Sequence, residues 1–228
     1  MAYVKRIVCL ANSVKTGGSC IAGKEVLAKG YGGWIRPVSA RPTAEVRFSE
    51  YRYQNNESPE LLDIIDVPLL KAAPQHHQTE NHVITAGRWL KQGALPWNQL
   101  EQLRDRPASL WINSDSTIGG RYNCMSPAQA AMMPDSLFLL KMKSFIVVVS
   151  SNTWEGKTRK TYRGEFDYKG VRYKFNLTDP AARRAFASKT EGDYPLNDVY
   201  LCISLTETYA EDGRCHKLVA AVISDPPL

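Results

Sequence analysis

Hydrophobic and polar positions alternate with a period of two along much of the second half of the chain. In residues 170–178 every second side chain is apolar, and residues 161–168 repeat the pattern. This alternation is typical of strands buried on one face. Lys169 and Gly170 between the two segments have the composition of a two-residue turn. The pattern therefore predicts a β-hairpin.

A helix start signal follows this hairpin. Asp179 has the side chain of an N-cap residue and Pro180 suits the first helical position, so a helix is predicted from there to about Lys189. Further strands are predicted at residues 137–150, 199–205 and 217–223. Three strands, a helix and two strands is the order of a five-stranded Greek-key barrel of the OB type.

The first half of the chain repeats this order less regularly. Strands are predicted there at residues 4–11, 21–29, 34–39 and 61–70. A short helical pattern within residues 89–106, carried by Trp97, Leu100 and Leu103, and a connector at residues 127–134 follow. We therefore expect a mainly β protein with a few short helices, built as two tandem five-stranded OB-like barrels. Residues 1–133 form the first barrel, with a helical insertion, and residues 134–228 the second.

Composition narrows the class of protein. The chain has 29 Lys and Arg against 23 Asp and Glu, a formal net charge of +6, which favours a polyanionic partner. Its five cysteines are odd in number and show no CxxC spacing, which indicates reduced thiols rather than disulfides or zinc. No apolar run suits a signal peptide or a membrane span. We expect a cytoplasmic protein without cofactor, metal or membrane contact.

Two motifs that suggest catalysis have simpler explanations. Residues 18–24 fit the first seven positions of a phosphate-binding P-loop, but Glu25 stands where a Ser or Thr must hold Mg²⁺. His76, His77 and His82 lie in a polar stretch without a cysteine or carboxylate at a spacing that fixes metal geometry. We expect these histidines to be solvent-exposed loop residues.

The first half offers candidate contacts for nucleic acid. Residues 12–19 are predicted to form a flexible polar loop between two strands, and in OB-type barrels this loop grips oligonucleotides; a plain hairpin loop is the alternative. Trp34 and Arg36 should share a strand face, although Trp34 also suits the barrel core. The candidate contacts of this half are Asn12, Ser13, Lys15, Lys24, Trp34 and Arg36.

The second half carries a basic cluster. From Lys141 to Lys174 there are nine basic and three acidic residues. In the predicted hairpin, Asp167 stands opposite Arg172 and Glu165 opposite Lys174, as cross-strand charge pairs. The remaining cations lie beside aromatic residues, a combination that suits single-stranded nucleic acid, although a solvated edge that discourages aggregation is the alternative. The candidate contacts of this half are Lys157, Arg159, Lys160, Tyr162 and Arg163.

Several segments together resemble the prokaryotic dual OB-containing domain family over almost the whole chain. They are residues 9–13 (CLANS), 17–23 (GGSCIAG), 34–39 (WIRPVS), 62–65 (LDII), 78–81 (QTEN), 109–111 (SLW), 178–180 (TDP), 202–205 (CISL) and 217–223 (KLVAAVI). The resemblance implies two tandem OB barrels and a nucleic-acid-binding role, beside nucleic-acid modification or mobile-element defence systems.

The leading hypothesis is thus a non-enzymatic protein that binds single-stranded DNA or RNA, in preference to duplex, as an accessory to such a system. A second hypothesis is an adaptor that docks a partner enzyme carrying the chemistry. A third is a nucleic-acid-modifying enzyme that uses Cys20, Lys15 or the histidine cluster.

Overall fold

The structure, a computed structural model, describes residues 2–15, 17–154 and 157–228, without the side chains of Trp154 and Lys157. The chain divides into two compact units, Met1–Arg104 and Asp105–Leu228. The boundary expected near residue 133 falls inside the second unit. No helix among the described residues is long and apolar enough to cross a membrane.

The first unit is a six-stranded sheet with two short helical segments. Its strands are β1 (Tyr3–Lys15), β2 (Gly18–Val26), β3 (Tyr31–Val38), β4 (Asp63–Ala72), β5 (Asn81–Ile84) and β6 (Leu90–Ala94). Helix α1 (Phe48–Tyr51) lies between β3 and β4, and a 3₁₀ helix (Trp97–Leu103) follows β6. The strands pair in the order β1-β2-β3-β5-β4-β6, β3 and β5 are parallel, and β1 also pairs with β4.

The second unit repeats this arrangement. Its strands are β7 (Cys124–Met125), β8 (Leu137–Trp154), β9 (Lys157–Tyr168), β10 (Val171–Leu177), β11 (Gly192–Thr208) and β12 (Cys215–Ile223). Helix α2 (Pro127–Ala131) precedes β8, and α3 (Pro180–Ala185) joins β10 to β11. The pairing order is β10-β9-β8-β11-β12-β7, with an additional parallel pairing of β10 and β12.

The predicted fold class is confirmed: the chain is mainly β and forms two OB-like units whose five principal strands have the same connectivity. Each sheet has six strands rather than the expected five. The strands without a predicted counterpart, β5, β6 and β7, are four, five and two residues long. Strands this short offer too few positions for an alternating pattern.

The hairpin and the helix start of the second unit are confirmed in detail. Tyr168 pairs with Val171, and both intervening residues have positive φ, as a two-residue turn of type I′ requires. One carboxylate oxygen of Asp179 accepts hydrogen bonds from the backbone N–H groups of Ala181 and Ala182, and the other accepts one from Val222. The N-cap therefore also fastens α3 to β12.

Two local predictions are wrong and a third is confirmed in part. The stretch 12–19 is not a flexible loop, because β1 runs to Lys15 and β2 begins at Gly18, so polar residues continue the hairpin. Helix α3 ends at Ala185, before the expected Lys189, and Phe186, its C-cap residue, is buried. The short helical pattern predicted within residues 89–106 is confirmed in part: a 3₁₀ helix spans Trp97–Leu103, but residues 90–94 form strand β6.

Candidate nucleic-acid interface

The two units differ in the exposure of their first three OB strands. In the first unit, residues 7–11, 21–24 and 35–39 are uninterrupted runs of buried residues, so these strands are covered on both faces. In the second unit the equivalent strands β8, β9 and β10 alternate between buried and more exposed positions. We call the solvent-facing side of β8, β9 and β10 the outer face of the second unit.

Two cations predicted as contacts in the first unit are buried. The Arg36 guanidinium, 3% exposed, forms an ion pair with Glu80 at 2.9 Å, and its backbone N–H donates to the Glu80 carbonyl. Lys24 is also buried, and its Nζ lies 5.5 Å from the ring centroid of half-buried Trp34, its cross-strand neighbour. These charges are held inside the fold rather than presented to solvent.

The polar residues predicted as contacts near the first hairpin also have internal partners. The Asn12 amide donates to the carbonyl of Pro59 at 2.9 Å. Ser13 is buried and its hydroxyl reaches the carbonyl of Cys20. Lys15 is half-buried where β1 ends, paired in register with Gly18. Asn12 and Ser13 therefore bond to backbone carbonyls of the first unit, one outside the hairpin and one within it.

Strand alternation divides the candidate contacts of β9 between two faces. Lys160 and Tyr162 lie on the core side: the Lys160 ammonium donates to the carbonyls of Ala187 and Lys189, beyond the C-terminus of α3. The Tyr162 ring packs against the core and lies 5.4 Å from the Arg183 guanidinium. A helix C-terminus carries partial negative charge, which accounts for the Lys160 position. The side chain of Lys157 is outside the described part of the chain.

The outer face carries both paired and unpaired cations. The predicted charge pairs are confirmed: Arg172 binds Asp167 through two hydrogen bonds, and the Lys174 ammonium lies 3.1 Å from Glu165. Arg159 and Arg163 also point to this face, and among the described residues no carboxylate lies within ion-pair distance of either. Arg159 and Arg163 are thus outer-face cations without a carboxylate partner in the part of the chain that the structure describes.

Arg163 is held by a neighbouring loop. Its guanidinium donates to the carbonyl of Ile118 at 3.1 Å. Burial against this loop lowers the pKa of the Arg163 guanidinium from its ordinary value. A guanidinium remains charged throughout the physiological range, so the loop fixes the position of this cation without neutralising it.

Residues 150–154 and 157–161 form a two-stranded arm at one end of the outer face. The pairing of β11 with β8 ends at Val149 and that of β10 with β9 at Arg163, whereas the rungs between β8 and β9 continue past both. Arg159 faces Asn152 across the arm, and both are exposed. In OB folds this position is the loop between the first two strands, one of the elements that contact oligonucleotides.

The segment that holds Arg163 is not among the elements predicted from the sequence. Residues 114–123, which we call the 114–123 loop, read STIGGR around Ile118, an isolated apolar residue followed by two glycines within polar residues. That pattern is a turn signal with an apolar residue at its tip. It could have identified the loop, but not its contact with β9.

The expectation for the histidines is wrong in part. His76 is exposed, but His77 is buried, and His82 is a half-buried β5 residue that hydrogen-bonds to the Tyr3 hydroxyl. Burial lowers the pKa of His82. Within the described ranges, no three His, Cys, Asp or Glu side chains form a group that could hold a metal ion.

Comparison with known proteins agrees with this architecture. The family model for the dual OB-containing domain matches residues 5–222. No curated protein and no solved structure gives a significant match. Because the match spans nearly the whole chain and the structure has the corresponding two OB-like units, the chain belongs to the dual OB-containing domain family.

Proposed function

We propose that the second OB-like unit binds single-stranded nucleic acid on its outer face, with Arg159 and Arg163 contacting the phosphate backbone. One observation carries this proposal: the outer face is open to solvent and bears two cations without a described carboxylate partner, whereas the equivalent strands of the first unit are covered on both faces. OB folds bind oligonucleotides on the face of their second and third strands.

The spacing of the two arginines suits a strand that lies along β9. They are four residues apart on one strand face, about 13 Å along its axis. Thr161 lies between them, with its hydroxyl 2.8 Å from that of Ser150, so the surface there is polar. Phosphates attract cations without regard to base sequence, and these residues would therefore supply affinity rather than sequence preference.

The proposal does not assign nucleic-acid contacts to the following candidate residues. Lys24 and Arg36 are left out of the contact surface because their charges are buried. Lys160 and Tyr162 support the α3 end of the unit. The wider role, as an accessory to a modification or defence enzyme that acts on nucleic acid, rests on the family resemblance and not on these contacts.

The test is a titration of the full chain with fluorescently labelled single- and double-stranded DNA and RNA, at two salt concentrations. We expect single strands to bind more tightly, with an affinity that falls as salt rises. The double substitution Arg159→Ala and Arg163→Ala should weaken binding and reduce the steepness of the salt dependence by up to about 1.4, since each phosphate contact on a single strand contributes about 0.7.

A matched control removes two charges from the first unit. Lys29 and Lys71 are both exposed, and their double substitution to alanine changes the net charge by the same amount. We expect it to leave the salt dependence nearly unchanged. Equal effects of the two double variants would show that binding follows net charge alone, and absence of binding by the unaltered chain would overturn the proposal.

A further inference from the structure

Ile118 is the most exposed large hydrophobic side chain among the described residues, at 98% exposure. Its side chain is almost wholly in water, so it gains almost no burial in the fold. Its backbone carbonyl, in contrast, is bound by the Arg163 guanidinium. An apolar side chain is thus presented directly beside an uncompensated cation of the outer face.

The 114–123 loop that carries Ile118 is closely held. Asn123 is buried; its amide oxygen accepts from the Thr117 N–H and its amide nitrogen donates to the Thr117 hydroxyl. The Gly120 N–H donates to the Thr117 carbonyl. A Cβ on Gly120 would lie 2.4 Å from Asn123 atoms, so only glycine fits there. The tip therefore has one defined conformation without help from the Ile118 side chain.

The charges around this tip favour an anionic partner. Arg121 is exposed and forms a β-bridge with Lys174, at the edge of β10. The acidic residues of the outer face, Glu165 and Asp167, are engaged with Lys174 and Arg172. Asp115, in the same loop, is the remaining exposed carboxylate nearby in sequence. Arg163 thus lies at the apolar tip, and Arg121, three residues further along the loop, acts electrostatically on Asp167.

We propose that Ile118 packs against a base of the bound single strand while Arg163 holds an adjacent phosphate. The inference rests on the proposed function, because it adds a base contact to the same outer face. Bases pack against apolar surfaces and phosphates bind cations. Ile118 supplies the apolar surface and Arg163 the cation, and the hydrogen bond from the Arg163 guanidinium to the Ile118 carbonyl holds the two residues together. The contact is independent of base identity, since every base has an apolar face.

The experiment compares Ile118→Ser and Ile118→Trp with the unaltered chain in the oligonucleotide titration. Ile118→Ser should weaken binding about fivefold, and Ile118→Trp should restore or tighten it, because stacking on an aromatic side chain is a strong base contact. Neither substitution changes a charge, so the steepness of the salt dependence should stay the same. Met132→Ser is the matched control, because Met132 is also exposed, at 68%, but lies outside the loop.

The outcomes separate this inference from the proposed function. If Ile118→Ser binds as the unaltered chain does while the Arg159 and Arg163 double variant loses affinity, the base contact is overturned and the phosphate contacts stand. Equal losses in Ile118→Ser and Met132→Ser also overturn it. A reduced affinity for Ile118→Trp would indicate a shape-restricted pocket, as in a protein partner, and would contradict packing against a base. No binding by the unaltered chain overturns both proposals.

Discussion

The two units share one connectivity but use it differently. In the first unit the strands β1, β2 and β3 are covered on both faces, and Lys24 and Arg36 are buried with them. In the second unit β8, β9 and β10 keep an open outer face, and Arg159 and Arg163 stand on it. Equivalent strands of the same fold are thus buried in the first unit and exposed on one face in the second. The fold alone therefore does not determine where a ligand binds.

Buried charge shows the same contrast. In the first unit the Arg36 guanidinium has a carboxylate partner, Glu80. In the second unit Lys217 is 0% exposed, and its ammonium donates to the carbonyl of Ile112 at 2.8 Å. Its Nζ also lies 5.8 Å and 5.9 Å from the ring centroids of Tyr173 and Phe175. Arg36 is therefore stabilised by a carboxylate, whereas Lys217 is stabilised by a carbonyl dipole and two aromatic rings.

The largest expected effect comes from removing the anion in the first unit. Glu80→Ala takes the carboxylate away from a buried guanidinium, and we expect the free energy of unfolding to fall by about 3–5 kcal/mol. The parallel pairing of β3 with β5 begins at this point, so the loss should appear in the first unit. Urea unfolding measures the loss of unfolding free energy, and native-state hydrogen exchange shows which of the two units has lost it.

Two further variants sharpen this prediction. Glu57→Ala removes an exposed carboxylate of the same unit and should change stability little. Replacing the pair together, Arg36→Met with Glu80→Leu, should cost less than Glu80→Ala, because no buried charge remains. A Glu80→Ala variant as stable as Glu57→Ala would show that the ion pair is not what holds the β3–β5 junction.

The difference between the units also explains how far the sequence could be interpreted. The turn and the register of the β9–β10 hairpin are predicted correctly because half-buried strands alternate, although β9 begins four residues before the predicted start. In β1 five successive residues, 7–11, are buried, so alternation is lost and the strand boundaries were less accurate. A strand that is covered on both faces appears in the sequence as a continuous apolar run, and such a run does not show which residues face which side or where the strand ends.

The site was predictable only where its contacts are local. The pairing of Arg172 with Asp167 follows from the turn, five residues apart. The bond from Arg163 to Ile118 spans 45 residues and those from Lys160 span 27 and 29. The ion pair of Arg36 with Glu80 likewise joins distant segments. Such contacts depend on how loops return to the sheet, which no local pattern encodes.

The second expected effect is a pH dependence specific to the second unit. Burial lowers the pKa of Lys217 to about 8, below the usual value of about 10.4 for an unfolded chain. Between these values the unfolded chain binds more protons, so this residue makes stability rise with pH, by about 3 kcal/mol across the window. Below pH 8 Lys217 is protonated in both the folded and the unfolded chain, so the free energy of unfolding is lowered by the full cost of burying the charge.

Lys217→Met should therefore remove this rise. The difference in free energy of unfolding between the variant and the unaltered chain, measured in urea from pH 7 to 10.5, should shift steadily in favour of the unaltered chain. Lys143→Met, at an exposed position of β8, is the control and should show no such trend. Parallel pH profiles for Lys217→Met and the unaltered chain would contradict a depressed Lys217 pKa.

The smallest expected effect tests whether its ion pair with Asp167 prevents Arg172, on the outer face, from contacting nucleic acid. Asp167 holds Arg172 through two hydrogen bonds, and this contact lowers the pKa of Asp167. Asp167→Asn removes this anion and leaves Arg172 with Glu165 alone, 3.6 Å away, a carboxylate that it shares with Lys174. We expect oligonucleotide binding to tighten less than about threefold, with the salt dependence steeper by at most about 0.7, the share of one phosphate contact.

The first unit contains a matched pair for this experiment. Arg6 binds Asp66 through two hydrogen bonds of 2.6 and 2.8 Å, so Asp66→Asn releases one arginine and changes the net charge by the same amount. If the outer face of the second unit is the binding surface, only Asp167→Asn should steepen the salt dependence. If Asp66→Asn does so equally, release of any surface arginine suffices, and the contrast between the two units does not determine where nucleic acid binds.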